Sequence, residues 1–164
     1  MKFAEPQVVM YAKQSYVAVR RAVKIPFTKA MREAEGKLFQ AVEEQKIPVL
    51  GPVFFKYNIV KMPELEIEFG IVTDGPVAGD GELVSGELPA GCYAELVYLG
   101  PYTRLIKANA ALIAWAQANG HAFDVQSQAD GDHFAARVEF YTNGSEDEPD
   151  PNKLETIIAF KLRD

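Results

Sequence analysis

One cysteine, two histidines and one tryptophan stand among 164 residues. A lone Cys92 excludes an internal disulfide, and its place between Gly91 and Tyr93 at a strand start reads as a structural thiol. His121 and His133 are far apart and have no neighbouring cysteine, so no metal site is expected, nor any cofactor. The nucleophile motif Gly-x-Ser-x-Gly is absent; Ser15, Ser85, Ser127 and Ser145 lack a plausible histidine partner. No glycine-rich phosphate loop occurs. There is no run of about 20 apolar residues and no charged leader before an apolar segment, so neither membrane insertion nor export is expected. A cytoplasmic location follows as the default. Basic residues are also short in supply: 17 Lys and Arg against 23 Asp and Glu give a net charge of −6. Direct nucleic-acid binding needs clustered cations, and the one dense spot is Arg20-Arg21 with Lys24.

What is present is a pattern that occurs twice. Tyr16-Val17-Ala18-Val19-Arg20 leads through Ile25-Pro26-Phe27-Thr28 into a helical stretch. Tyr93-Ala94-Glu95-Leu96-Val97 leads through Gly100-Pro101-Tyr102-Thr103 into another. Each half closes on a similar strand, Leu65–Ile71 and Leu154–Phe160. The spacing is 77 residues from Tyr16 to Tyr93, 75 from Pro26 to Pro101 and 89 from Leu65 to Leu154. The last is larger because an acidic, proline-punctuated insertion, residues 143–151, precedes the second closing strand; it reads as a solvated loop.

With 48% hydrophobic residues the chain can bury one proper core. It reads as a single domain over 1–164, with repeat one at about 5–76 and repeat two at about 82–164. Strands are expected at Gln7–Met10, Ser15–Val23, Val53–Asn58, Glu64–Val72, Glu82–Leu88, Cys92–Leu99, His133–Thr142 and Leu154–Leu162. One helix should start at Pro26, carry the stripe Phe27, Met31, Ala34, Leu38 and Val42, and stop before Pro48. The other should run from Pro101 to Asn119, with Leu105, Ile106, Leu112, Ile113 and Ala116 on its stripe. The fold class is α+β: a tandem βαββ repeat, antiparallel sheets with helices on one face, and a ligand cleft between the two pseudo-symmetric halves.

The sheet face away from the helices is the expected ligand surface. If Val138 and Phe140 are the core set, then Arg137, Glu139 and Tyr141 face the other way together. On the matching strand, Phe55 and Tyr57 take the corresponding positions, and Glu66 and Glu68 join from the closing strand. An acid among rings is suited to a flat or cationic ligand through stacking, cation–π attraction and charge. Each residue also has a plainer reading. Glu139 could be an exposed partner of Arg137. Tyr57 and Tyr141 could be ordinary strand aromatics, Trp115 core or pocket floor, Tyr102 a helix cap, and Glu66 and Glu68 rim charges.

Over essentially the whole chain the sequence resembles the GyrI-like small-molecule-binding domain, the effector-binding domain of AraC-type and multidrug-sensing MerR-type regulators. The residues that carry the likeness are Gly100-Pro101-Tyr102, Ala114-Trp115 to Asn119-Gly120, Val138-Glu139-Phe140-Tyr141 and Pro151-Asn152-Lys153-Leu154-Glu155. The resemblance implies a tandem βαββ repeat facing itself across a cleft, with Glu139 at the position of the family's pocket acid. Ile25-Pro26-Phe27 departs from the usual Gly-Pro-Tyr, which makes the first helix entry more apolar. No helix-turn-helix precedes the first strand, so a stand-alone binding domain is expected.

The resulting function is capture of amphipathic, aromatic or cationic small molecules by Glu139, Tyr141, Tyr57, Phe55, Tyr102, Trp115 and Glu68. An alternative implied by the resemblance is a hydrolase that adds water to cyclopropane-containing genotoxins, with Glu139 as general base and Tyr141 or Tyr57 orienting the electrophile. A third is a module that binds gyrase or another regulatory protein partner through exposed acid.

Overall fold

A computed structural model describes residues 2–144 and 146–164. Eleven strands of the described residues join in one antiparallel sheet. They are β1 (Lys2–Phe3), β2 (Gln7–Tyr11), β3 (Gln14–Lys24), β4 (Val49–Lys61), β5 (Glu64–Thr73), β6 (Leu83–Leu88), β7 (Gly91–Leu99), β8 (Val125–Gln128), β9 (Gly131–Phe134), β10 (Arg137–Tyr141) and β11 (Glu155–Lys161). Helix α1 covers Thr28–Glu44 and α2 covers Leu105–Ala118, the latter entered through a 3-10 turn at Tyr102–Arg104.

The main strand order is β1-β7-β11-β10-β4-β5-β3-β6, with β2 on β7 and the β8–β9 hairpin attached to β4. The sheet curls into a half-barrel, so the architecture is α+β with two helices and one sheet. Both helices lie on the same face. Ala34 and Leu38 of α1 pack with Phe55, Ile67 and Phe69 of that face. Glu139 pairs in register with Phe55, so it shares Phe55's side of the sheet, and Asn109 of α2 reaches it there.

The opposite face is also a core. Tyr16, Ala18, Phe54, Tyr93, Val138, Phe140 and Ala159 pack together on it. This overturns the sequence expectation that Val138 and Phe140 point at the helices. They point away, and Glu139 with Tyr141 points towards them. Alternation separates two sets of residues but does not say which set meets a helix when both faces are covered.

Other boundaries shift for local reasons. Pro26 lies ahead of α1, whose first residue is Thr28. Ile106 is exposed, and the buried stripe of α2 is Ala108, Leu112 and Ala116. The single strand expected over 133–142 is two, β9 and β10. The acidic insertion includes Ser145, which lies outside the described residues; a 3-10 turn at Pro151–Lys153 follows from its last residue.

Gly70 shows how tightly the two-faced sheet is filled. It is paired with Phe54 across β4 and β5, and a Cβ there would meet the Phe54 ring at 2.5 Å. Phe54 is fully buried and packed on Tyr16 and Phe140, so it cannot retreat. Gly70→Ala should therefore destabilise the fold by about 1–3 kcal/mol, as overpacking in a filled core does. Urea unfolding followed by circular dichroism measures this; an unchanged midpoint would mean the ring has room to move.

Candidate functional site

The site is built where β10 meets β4 under α2. The Glu139 carboxylate is 5% exposed and accepts three hydrogen bonds. Tyr57 and Tyr141 each donate a hydroxyl to Oε1 at 2.7 Å, and the Asn109 amide donates to Oε2 at 2.9 Å. All three donors are uncharged. They stabilise a carboxylate away from water without cancelling its charge. Glu139 belongs to none of the ion pairs among the described residues.

The walls are aromatic. Tyr141 packs edge-on against Phe55 at 4.8 Å between ring centroids and against Tyr102 at 5.6 Å. Phe55 packs edge-on against Phe69 at 4.8 Å. Tyr102, carried by the turn before α2, is 39% exposed and forms a lip. Burial pushes the Tyr57 and Tyr141 hydroxyls well above the usual phenol value, and the neighbouring Glu139 charge pushes them further. Both therefore stay protonated donors. Arg137 turns from the carboxylate and lies over the rings of Phe160, Phe134 and Tyr57 at 4.6, 5.1 and 5.7 Å. Burial lowers its pKa, and its Nε has no hydrogen-bond partner among the described residues.

Five of the seven expected residues thus meet: Glu139, Tyr141, Tyr57, Phe55 and Tyr102. Trp115 does not. It packs against His121 at 5.2 Å and against the core under α2. Glu68 lies on the opposite face of the sheet, because β5 alternates and Ile67 and Phe69 take the helix side. There it is 3% exposed, bonded by Tyr16 at 2.6 Å and Arg20 at 3.2 Å, with the Lys56 ammonium 3.6 Å away.

Two residues went unread in the sequence. Asn109 sits in an alanine-rich helix, and only its partner reveals a role. Glu35 carried a readable signal: it occupies the i+4 position from Met31 on the inward side of α1, where an apolar residue is expected. It is half-buried. Burial pushes its carboxyl above the usual range, and the charge of Glu146 adds to this. Glu35 in turn helps raise the Tyr102 hydroxyl, after burial, which places it by the Tyr102 lip. Among the described residues no group of three His, Cys, Asp or Glu could hold a metal, and no helix is long and apolar enough to cross a membrane.

The Glu68 cluster makes a pH prediction. Burial pushes the Glu68 carboxyl up, but Lys56, Tyr16 and Arg20 together outweigh it, so the group titrates below its ordinary 4.5. A folded-state value below the unfolded one stabilises the fold above pH 4.5, and the contribution is lost as pH falls through the folded value. The paired variant Lys56→Met with Glu68→Leu removes both charges while keeping apolar volume. Its stability should fall less steeply in acid than that of the parent, read from urea midpoints between about pH 3 and 6. Identical acid limbs would show that this pair does not set the slope.

Comparison with known proteins fits this geometry. No curated protein matches in sequence. The crystal structure of the EcmrR C-terminal domain superposes with a TM-score of 0.80 at 18% identity, covering 99% of both chains. The cryo-electron microscopy structure of an EcmrR–DNA complex gives a TM-score of 0.77 at 17% identity. It covers 98% of this chain and 57% of that one, so this chain spans little more than half the length of that protein. SAV2435 bound to tetraphenylphosphonium gives a TM-score of 0.58 at 12% identity, covering 98% of this chain and 94% of the other. These likenesses are of fold. A family model matches residues 4–161, and the chain belongs to the GyrI-like small molecule binding domain family.

Proposed function

We propose that this domain captures amphipathic or planar organic cations between α1 and α2, with Glu139 as counter-charge and Tyr57, Tyr141, Phe55 and Tyr102 as walls. One observation carries the reading: a carboxylate buried among rings whose partners, two phenols and an amide, are all neutral. Such a group lowers its free energy by acquiring a cation. Glu35 adds a second negative group at the lip, which favours ligands whose positive charge is spread or doubled.

The strand–helix–strand–strand run β3-α1-β4-β5 is repeated as β7-α2-β10-β11, with the β8–β9 hairpin inserted. We read this as the duplicated unit, residues 5–76 and 82–164 of one domain, and the ligand cleft as the seam between its helices. That SAV2435 is solved with tetraphenylphosphonium supports a lipophilic cation as the first probe. The DNA complex of EcmrR supports effector sensing for a regulatory partner as the context of capture.

Hydrolysis is disfavoured by the same hydrogen bonds. Oε1 already accepts two phenols and Oε2 an amide; these bonds weaken the carboxylate as a base, and a water could be activated at Oε1 only with loss of a donor. Binding a cation requires no such loss.

Calorimetric titration with tetraphenylphosphonium and its negatively charged isostere tetraphenylborate tests the reading. The phosphonium should bind at least about tenfold more tightly, a difference of about 1.4 kcal/mol. Glu139→Gln should erase most of that preference, while Trp115→Phe should leave affinity within about twofold. Equal binding of the two isosteres would overturn the proposal. A mass gain of one water in a cyclopropane-bearing electrophile, with turnover, would replace capture by catalysis.

A further inference from the structure

An open hollow lies behind Glu139, on the sheet face away from the helices. It has a volume of about 450 Å³ and is lined by residues including Arg20, Lys56, Asn58, Ile59, Glu68 and Phe134. That volume is within the range of small-molecule sites.

Its floor is charged. Lys56 is only 9% exposed and pairs with Glu68 at 3.6 Å. A buried ion pair seldom stabilises more than an apolar pair of the same volume, so packing alone does not account for it. Hydrogen-bond capacity in the hollow is one-sided. The Glu68 carboxylate is already engaged at both oxygens, Oε1 by Arg20 and Oε2 by Tyr16 with Lys56 beside it. Lys56 donates to Asn58 Oδ1 at 2.5 Å, which leaves the amide N–H₂ of Asn58, a lining residue, as a further donor. Arg20 gives one N–H to Glu68, and its side chain is half exposed. The rest of its planar fork is open to a ligand. Donors of Arg20 and Asn58 therefore remain beside a carboxylate whose charge is already offset. Glu66, half-buried on the wall, is the one further carboxylate lining the hollow.

We propose that this hollow is a second binding site, for a small organic carboxylate held by the Arg20 fork, Lys56 and the Asn58 amide, its apolar body against Ile59 and Phe134. The charge balance selects a monoanion. Arg20 and Lys56 face Glu68 and Glu66, so the hollow is near neutral before a ligand enters, and a dianion would meet Glu66 without enough cation to offset it. Lowering of the Lys56 pKa by desolvation, partly opposed by Glu68, is in keeping with a cation that gains from a further anion. The site is independent of the cation site, because β4 directs Phe55 to one face and Lys56 to the other.

Proton–nitrogen correlation spectra of the full chain, titrated with benzoate, phenyl phosphate and benzamidine, decide the matter. Benzoate should shift the amides of Arg20, Asn58 and His133 in a saturable way and leave Asn109 unmoved. Benzamidine should leave these amides in place, and phenyl phosphate should bind more weakly than benzoate. Arg20→Gln, at a half-exposed position, should cut benzoate affinity at least about tenfold, and Lys56→Met should do the same if it folds. Non-saturable shifts, benzoate affinity unchanged by Arg20→Gln, or shifts centred on Tyr57 and Asn109 would each overturn the proposal. Benzoate binding stands or falls without regard to tetraphenylphosphonium.

Discussion

The pairing of β4 with β10 is the constraint on which the molecule turns. It joins the two halves of the strand order and sets Phe55 opposite Glu139 and Lys56 opposite Val138. Because side chains alternate along a strand, this one register fixes two surfaces at once. The helix face receives an acid among rings. The other receives a lysine beside an acid, Glu68, supplied by β5. A slip of one residue in β10 would turn Glu139 into the second core, beside Phe54 and away from the Tyr57 hydroxyl and the Asn109 amide. The packing of Phe54 over Gly70 opposes such a slip, since no other neighbour of that ring lacks a Cβ in the paired position.

Much of this was legible in the sequence. The doubled strand–helix pattern, the stripe on α1 and the strict alternation of Glu64–Val72 gave the elements, and a short family likeness singled out Glu139. The face was misread for a physical reason. In a sheet with one solvated side, apolar residues mark the side under the helices. Here both sides are packed, so Val138 and Phe140 are as apolar as Ile67 and Phe69 yet face the other way. Length could not arbitrate either, because β10 has five residues with three buried in a row. The β8–β9 hairpin escaped notice because Val125–Gln128 is largely exposed and polar and shows no alternation to detect.

Residues that act through a partner were the hardest to read. Asn109 in a run of alanines reads as a surface amide until the carboxylate 30 residues away is placed beneath it. Glu35 differs, since a charge within an apolar stripe is a local contradiction visible in the sequence. Such contradictions concentrate at functional sites, where local preference yields to chemistry. Trp115 is the converse: a large, lone aromatic in a family motif whose position at the end of α2 is explained by packing on His121 and the core.

On the proposed reading, the neutral donors around Glu139 are what separate a site for cations from a structural ion pair. An arginine in place of Asn109 would satisfy the same oxygen and bring its own positive charge, leaving a ligand cation nothing to offset. Phenols and an amide do the opposite. They hold the carboxylate in one orientation, exclude water from it, and leave its field intact in a poorly screened interior. Arg137 is kept from the carboxylate by its stacking on Phe160, Phe134 and Tyr57, so the chain's own nearest guanidinium does not fill the role. Behind the strand the arrangement is reversed: the charge of Glu68 is offset by Arg20 and Lys56, with Tyr16 donating as well. On the two proposals, the same sheet offers a carboxylate to a cation on one face and cationic donors to an anion on the other, separated by one backbone.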